Sequence, residues 1–478
     1  MAAMATLSLA FNIATGALEA DQEALDIVSN NVANVNTPGY TREIANWEQN
    51  DPLTISGTTY GDGATVTGPV SQRSLVLNQS LQLQSQVASS SSARLSALQQ
   101  LQSIFAPSTT ADSSSSSDNT SGIGNDISQF FDALTQLESN PADNSLRQGV
   151  ITAADNLAAD FNSTSAQLTQ QQGSLDQQAS SVITQVNGLS SSIAQLNQQI
   201  ESLSPNSDAG TLEDQRQEDI QQLSQLVGIH QVQTENNGLE ITTSTGAVLV
   251  DQSQAYSLST APSGSGVTQI FDSQGNNITS SLASGGGQIG GLLTARDQDI
   301  PQVESALDTL AFQFGTAINT ANEGGADANG NAGVAIFNLP GSSSGAAAGI
   351  SVAISDPSLI AAAATGKGSS DDTNLLTIAG LQNQNIIGNT TPSAYFSGLV
   401  SSLGSLVSEV STENTAQESS VSQLQTTVNS LSAVDLNEEA SSLETFEQSY
   451  EAASKLFGIV DQVMVAALNL GTEQQFSS

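Results

Sequence analysis

The chain has 478 residues, more than one typical hydrophobic core can organise, so we expect about two to four domains. Only 37% of the residues are hydrophobic and 4% are aromatic, a composition that favours long, polar-surfaced helices over a large compact enzyme. The 47 acidic and 8 basic residues give a net charge of -39, and this negative field repels phosphates, which argues against nucleic acid as a partner.

Three absences narrow the class of protein further. Cysteine does not occur, which excludes disulfide bonds and thiolate metal sites. No apolar run reaches the roughly 18 residues that a membrane helix needs, so we expect no membrane insertion. The N-terminus lacks the basic residues that open a secretory signal peptide, so any export would have to use another route.

A heptad pattern predicts a long N-terminal helix within residues 1–42. Apolar residues recur there at alternating steps of four and three, with one polar position: Leu7, Phe11, Ala14, Leu18, Asp21, Leu25, Val28 and Val32. A second apolar stripe runs along the same helix, so we expect partners on two sides. An isolated helix would leave both stripes in water, and we therefore expect this segment to be poorly ordered until it meets a partner.

A turn motif follows this helix. It consists of Asn34, Asn36, Thr37, Pro38, Gly39, Tyr40 and Arg42. Thr37 precedes a proline, which disfavours helical geometry, so the helix should end near Asn36. Pro38 and Gly39 suit the two central positions of a type II turn, in which the glycine adopts a positive φ. A strand is predicted from Tyr40 onward.

The next part of the chain, residues 43–228, is predicted to be a helical-bundle or coiled-coil domain with a short β segment. Short strands and turns are expected up to residue 73, and helical periodicity follows. Apolar residues keep strict heptad spacing from Leu175 to Leu203, the cleanest coiled-coil pattern in the sequence.

Residues 229–372 change to β-like periodicity, which predicts a β-rich outer domain with a returning helix near residues 298–322. Helical spacing resumes over residues 373–433 as a return of the bundle, and residues 434–478 predict a C-terminal axial helix. The seam of that helix contains Leu443, Phe446, Tyr450, Phe457, Val460 and Met464. Pairing the two apolar ends predicts a mainly α fold with its terminal helices in a coiled coil. The β-rich insert, in the middle of the chain, should lie at the far end of the resulting hairpin.

Several local patterns imitate functional sites, and each has a simpler structural explanation. Residues 285–290 match a nucleotide-binding glycine spacing, but no βαβ unit surrounds them, so we expect a flexible connection. Residues 327–331 resemble a calcium loop that lacks its glycine and glutamate, so we expect an Asx turn. The only histidine, His230, should lie in a strand, and Glu438 and Glu439 should be solvated surface charges. We predict no catalytic, cofactor-binding or metal-binding residues and no enzyme activity.

Residues 30–42 resemble the N-terminal signature of bacterial flagellar rod, hook and hook-associated proteins. The ending over residues 36–42 is most similar to the hook-associated protein 1 family, the hook–filament junction proteins. Further blocks extend this resemblance over nearly the whole chain, namely residues 130–148, 212–224, 290–301 and 435–470. The middle of the chain looks short for that family, so a second outer β-domain is not expected.

The resemblance implies a structural subunit of the bacterial flagellum that joins hook to filament and assembles through its terminal helices. It also implies a homo-oligomer in a ring or helical assembly, with the hook protein and a second junction protein, the flagellin adapter, as partners. An export chaperone would bind the C-terminal region, and the mature location would be the extracellular flagellum, reached without a cleavable signal peptide.

Two alternatives remain open at this point. The same signature is shared by rod and hook axial subunits, which are also structural. A protein of another class, a secreted adhesin or enzyme with coiled-coil stalks, would carry its activity in residues 229–371. Isolation of exported complexes distinguishes a junction protein from a rod or hook subunit. Activity measurements on the middle segment test for an adhesin or enzyme.

Overall fold

The computed structural model describes residues 2–37, 39–106, 108–109, 120–203, 209–234, 237–264 and 266–473. Its helices are α1 (Ala2–Asn34), α2 (Leu75–Ile104), α3 (Ile123–Glu138), α4 (Asn144–Leu203), α5 (Thr211–Leu226), α6 (Thr279–Gly285), α7 (Gly287–Thr294), α8 (Ile300–Glu323), α9 (Ala346–Gly349), α10 (Thr373–Gly380), α11 (Pro392–Ser432) and α12 (Leu436–Glu473). One turn of π-helix, Ala295–Asp299, joins α7 to α8. Within these described ranges, no helix combines the length and apolarity that crossing a membrane requires.

The strands are short and antiparallel. They are β1 (Glu43–Gln49), β2 (Leu53–Ile55), β3 (Thr58–Tyr60), β4 (Ala64–Ser71), β5 (Ser108–Thr109), β6 (Thr120–Ser121), β7 (Ile229–Gln233), β8 (Leu239–Thr243), β9 (Val248–Asp251), β10 (Gln254–Ala255), β11 (Ser259–Pro262), β12 (Thr268–Phe271), β13 (Gly325–Ala326), β14 (Phe337–Asn338), β15 (Ser351–Val352) and β16 (Ala363–Ala364). One four-stranded sheet has the order β10-β9-β8-β7, and the other strands form two-stranded pairs. The pairs β1–β4 and β2–β3 together make a ribbon directly after α1.

The two terminal helices, α1 and α12, lie side by side and antiparallel. Near one end, the Asn31 amide donates to a carboxylate oxygen of Glu439 over 3.1 Å. Near the other end, the rings of Phe11 and Phe457 have centroids 5.0 Å apart. Each helix repeats apolar residues every three or four positions, so a continuous apolar strip is available for the partner helix.

Helix α4, 60 residues long, is the spine of the bundle. Its heptad residues from Leu175 to Ile200 are buried, except for the partly buried Leu189, and α3, α5, α7 and α8 pack around it. Close to its N-terminal half, four phenylalanines from α3, α8 and β14 form a buried cluster: Phe130, Phe131, Phe314 and Phe337. Centroid separations of 5.6–6.0 Å and steep ring angles are those of edge-to-face aromatic packing.

The four-stranded sheet lies alongside α4 and α5. The Asn197 side-chain amide on α4 donates to the backbone oxygens of Leu239 and Gln252, over 3.1 and 2.7 Å. Nearby, Arg216 on α5 donates to Asn197 and to the backbone oxygen of Asn237. The sequence analysis expected the β-rich insert at the far end of the hairpin. The sheet instead lies beside the helices, because polar side chains on α4 and α5 bind its edges and loops.

The fold class predicted from the sequence is confirmed: the protein is mainly helical, its terminal helices are paired, and its β-rich part is in the middle of the chain. One cluster of buried hydrophobic residues continues from α2 through the sheet to α11. The domain boundaries at residues 43, 229, 373 and 434 stay a prediction. The cluster continues across residues 229 and 373, whereas the buried residues of α1 and α12 are not part of it.

Candidate assembly site

The end of α1 passes into the ribbon through a tight turn. The Tyr40 backbone N–H donates to the Thr37 oxygen over 3.2 Å, and Gly39 has a φ of 77°. That φ lies in the left-handed region, which glycine adopts without steric cost. Pro38 lies outside the described residues. The turn sends the chain back along the base of α12, so that residues 40–43 meet both terminal helices.

Asn31, buried on α1, is the centre of this region. Its amide nitrogen donates to the Glu43 backbone oxygen (2.8 Å) and to Glu439, while its amide oxygen accepts from the Glu43 N–H (3.0 Å) and the Tyr40 hydroxyl (2.9 Å). Burial, then the carboxylates of Glu43, Asp214 and Glu439, raise the pKa of Tyr40 well above its ordinary value. The phenol therefore keeps its proton and remains a donor.

Arg42 connects the turn to α12 and to the end of α11. Its Nε lies 2.6 Å from a Glu439 oxygen and a second guanidinium nitrogen lies 2.9 Å from Glu438. Its backbone N–H donates to the Ser432 oxygen, and its own oxygen accepts from Gln72. Burial by itself lowers the pKa of Arg42, but the hydrogen bonds and charges of Glu438 and Glu439 carry it above its ordinary value. The cation is thus retained at this partly buried point.

A second arginine extends the network to α5. Arg73 binds Asp214 over 2.5 Å and Glu213 over 2.8 Å, and the other Asp214 oxygen accepts from the Thr41 backbone N–H over 2.8 Å. We call the connected group the polar clamp; it consists of Asn31, Tyr40, Arg42, Arg73, Asp214, Glu438 and Glu439. The polar clamp ties both terminal helices and the ribbon to the bundle.

The polar clamp corrects one expectation from the sequence. The Glu439 side chain is 1% exposed and bound by two partners, so it is not a solvated surface charge, whereas Glu438 is largely exposed. The two residues nevertheless bind the same guanidinium, that of Arg42.

The seam residues of α1 and α12 are placed unequally. Phe11 packs on Phe457, and Val28 and Val460 are buried. Partly buried positions are Leu7, Leu18, Leu25, Phe446 and Met464. Exposed positions at the rim are Val32, Leu443 and Tyr450. The structure therefore brings the middle of the predicted seam together and leaves three of its members in contact with solvent.

The second stripe of α1 finds its partner inside the same chain. Ala20, Ala24 and Ile27 on that stripe are buried, and α1 packs against β1 and β4 of the ribbon. Gly63 of the ribbon comes close to Ile13. Two apolar stripes on α1 thus correspond to two intramolecular partners, α12 and the ribbon, and the sequence could not distinguish these from neighbouring subunits.

Helix α12 also has an apolar row outside its seam, and this row is open. Leu456, Ile459 and Val463 are 47%, 60% and 49% exposed and recur at steps of three and four on one side of the helix. We call these three residues the outer stripe. Among the described residues, nothing covers it to the extent that α1 covers Phe457. An apolar row of this kind on a paired helix is typical of a surface that is buried in an assembly.

The patterns that imitated chemical sites have structural roles. Asp327 accepts from the backbone N–H groups of Asn329 and Asn331, each over 2.8 Å, which is an Asx turn. Gly291 lies so close to the backbone of Ser90 on α2 that a side chain would collide with it. The glycine-rich segment is therefore a close helix contact and not the flexible connection expected. In the described part of the chain, no group of three His, Cys, Asp or Glu residues is positioned to hold a metal ion.

Two family models match the chain. A model described as the helical domain of the flagellar hook-associated protein FlgK matches residues 108–337, and one described as the flagella basal body rod protein matches residues 11–41. The structure is also similar to that of the flagellar hook junction protein FlgK from Burkholderia pseudomallei. The TM-score is 0.64 at 20% identity, over 73% of this chain and 99% of that one.

Curated relatives extend the similarity over nearly the full chain. Flagellar hook-associated protein 1 of Salmonella typhimurium is 25% identical over 568 residues, covering 97% of this chain and 100% of the relative. The protein of the same name from Bacillus subtilis is 26% identical over 514 residues, covering 98% and 99%. These matches confirm the resemblance found in the sequence: the chain is similar to flagellar hook-associated protein 1 over nearly its whole length.

Proposed function

We propose that this chain is an axial structural subunit of the bacterial flagellum that joins hook to filament, and that its copies assemble through the terminal helices. The observation that carries the proposal is the outer stripe, an open apolar row on a helix that is already paired and anchored. Burying a Leu, Ile or Val side chain contributes roughly 1.5–3 kcal/mol, so covering this row favours association.

The polar clamp gives the terminal pair a fixed direction relative to the bundle. Its bonds run from α1 and α12 to β1 and α5, and several of its groups are buried. Breaking a buried hydrogen-bonded network one partner at a time costs several kcal/mol, so the polar clamp restricts the angle between the terminal pair and the bundle. A subunit that must fit a tube beside its neighbours benefits from that restriction.

Charge opposes premature association. The arginines are directed into the protein, where they bind carboxylates or backbone oxygens: Arg42, Arg73, Arg94, Arg147, Arg216 and Arg296. Both lysines, Lys367 and Lys455, are exposed, and Lys455 pairs with Glu451. The remaining surface charge is almost entirely negative, so free copies repel one another at low ionic strength.

The finer parts of the proposal concern partners and location. The subunit contacts the hook protein on one side and the second junction protein, the flagellin adapter, on the other, in a homo-oligomeric ring. An export chaperone covers the exposed apolar residues of α12 before secretion, which proceeds without a cleavable signal peptide. The role is structural and not enzymatic. The similarity to hook-associated protein 1 and the open outer stripe support these statements.

The test replaces one residue of the outer stripe. Ile459→Asp should leave the monomer as stable as wild type, because the side chain is mostly in water, yet the variant should be lost from the hook–filament junction. The matched control is Leu376→Asp, another exposed apolar position on a helix, and it should assemble normally. Electron cryo-microscopy of flagella with a tagged copy measures incorporation, and the medium is assayed for secreted protein. Normal junctions with Ile459→Asp would contradict the proposal.

A further inference from the structure

Helix α2 carries a second open apolar face, remote in sequence from the outer stripe. Val76, Leu83 and Val87 are 74%, 43% and 42% exposed. They recur at steps of seven and four, and Ser80 lies between the first two, so all four side chains project from one side of the helix. We call Val76, Ser80, Leu83 and Val87 the α2 face.

The other sides of this part of α2 are occupied. Gln84 binds Gln417 of α11, and Ser85 accepts from Gln221 of α5 over 2.9 Å. The Gln86 amide donates to the backbone oxygen of Ile229, at the start of the sheet, over 3.1 Å. Three neighbours therefore surround α2 in this region, and the α2 face is the side left between them.

One turn further along, the same side of α2 is covered. Ser90 continues the spacing of Leu83 and Val87, and there Gly290 and Gly291 of α7 lie against the helix. The contact is close enough that a methyl group on Gly291 would collide with the Ser90 backbone oxygen. Helix α7 thus covers this side of α2 at Ser90, whereas the apolar side chains of the α2 face, in the preceding turns, are exposed.

The lack of acidic residues around the α2 face indicates which partner could bind there. No Asp or Glu occurs between Asp62 and Asp112, the longest stretch of the chain without an acidic residue. Helix α11, which lies beside α2, has none between Glu418 and Asp435. A chain of net charge -39 meets strong repulsion almost everywhere on a second copy of itself, and the α2 face is a place where that repulsion is weakest.

We propose that the α2 face packs against a second copy of this chain in the assembled junction, a contact that rests on the proposed function. A strongly basic partner would find no complementary charge here and would be drawn to the acidic surfaces elsewhere. A second copy of the chain, which is also negatively charged, can bury apolar surface at the α2 face without removing water from any carboxylate of that face. The contact adds a lateral attachment through the bundle to the one made by the terminal helices.

The absence of cysteine makes a site-specific crosslink simple to interpret. Leu83→Cys, labelled with a benzophenone maleimide, places a photo-crosslinker on the α2 face of the full chain. Leu376→Cys is the matched control, since Leu376 is similarly exposed and lies in another acid-free stretch, residues 373–408. Illumination of intact flagella should give a crosslinked homodimer from position 83 and little from position 376. Equal yields, or a crosslink from position 83 only to a different protein, would overturn the proposal.

A charged variant tests whether the contact matters. Leu83→Glu should leave the melting temperature of the monomer unchanged, because position 83 is 43% exposed and a carboxylate there reaches water. It should lower the number of copies in the junction by roughly tenfold or more, because assembly would bury an unpaired carboxylate. A wild-type copy number would refute the α2 contact while leaving the proposed function intact. Absence of the unmodified chain from purified flagella would instead refute the proposed function, and the α2 contact with it.

Discussion

The guanidinium of Arg42 and the carboxylate of Glu439 lie 2.6 Å apart, although 397 positions separate them in the sequence. The Glu439 side chain is almost completely buried, and its second oxygen accepts from Asn31. One carboxylate therefore binds a residue of α1 and a residue of the turn that follows α1. This arrangement joins the two terminal helices at one point. Removing it should lower the stability of the isolated subunit by a measurable amount.

Glu439→Gln should lower the free energy of unfolding by about 3 kcal/mol, because Arg42 loses its most buried counter-charge. A glutamine oxygen can still accept from Arg42, but its amide nitrogen then faces the donor nitrogen of Asn31. The control is Glu451→Gln, which removes the exposed pair with Lys455 and should change stability by less than about 0.5 kcal/mol. Urea unfolding followed by circular dichroism measures both variants. Similar effects of the two substitutions would refute a structural role for the polar clamp.

Phe457→Asp should destabilise the terminal pair within the monomer, because Phe457 packs directly on Phe11. We expect a loss of about 3 kcal/mol or more, from the lost ring contact and the charge placed beside it. The loss should appear as faster amide hydrogen exchange along α1 and α12, with little change in α4. Unchanged exchange in these helices would mean that the pair does not form in the free subunit.

Asp126→Asn should stabilise the protein at neutral pH. Burial and the neighbouring Asp160 charge raise the pKa of Asp126 to about 6. The folded state therefore binds this proton more tightly than the unfolded state does, and this group's contribution to stability falls as pH rises from about 4 to about 6. Replacement by asparagine removes that penalty, which we put at about 1 kcal/mol after allowing for solvent screening.

The gain from Asp126→Asn should be full at pH 7.5 and absent near pH 4, where the wild-type carboxyl is itself protonated. Thermal unfolding at a series of pH values measures it. Asp132→Asn, an exposed acid on the same helix, is the control and should show no such pH profile. A gain that is independent of pH would show that the pKa of Asp126 is the same in the folded and unfolded protein.

Gly39→Val should strain the turn that leads into the polar clamp. The φ of 77° at Gly39 is in a region that β-branched residues resist, and we expect a cost of about 1–3 kcal/mol. Gly16→Ala in α1 is the contrasting change. Gly16 has no atoms near its missing side chain, so alanine there should stabilise the helix by about 1 kcal/mol. Equal destabilisation by both substitutions, measured by thermal unfolding, would exclude the turn geometry as the cause.

The sequence by itself determined the local structure and the resemblance to hook-associated protein 1. Heptad spacing from Leu175 to Ile200 predicted the core-facing side of α4, although the last residue of that pattern, Leu203, is exposed. The pattern around Phe457 predicted the seam of α12. The change of periodicity near residue 229 marked the start of the four-stranded sheet. These features depend on whether apolar side chains recur every two residues or every three to four residues. A segment of a few turns is long enough to show that periodicity.

Only the tertiary structure decided which surfaces meet. The second stripe of α1 and the outer stripe of α12 have the same periodicity, yet the ribbon covers the first and leaves the outer stripe exposed. Glu438 and Glu439 are adjacent in sequence, yet only Glu439 is buried, because the turn after α1 brings Arg42 and Asn31 against it. Contacts of this kind join residues hundreds of positions apart. They depend on the path of the whole chain, and the spacing of residues within one helix or strand carries no information about that path.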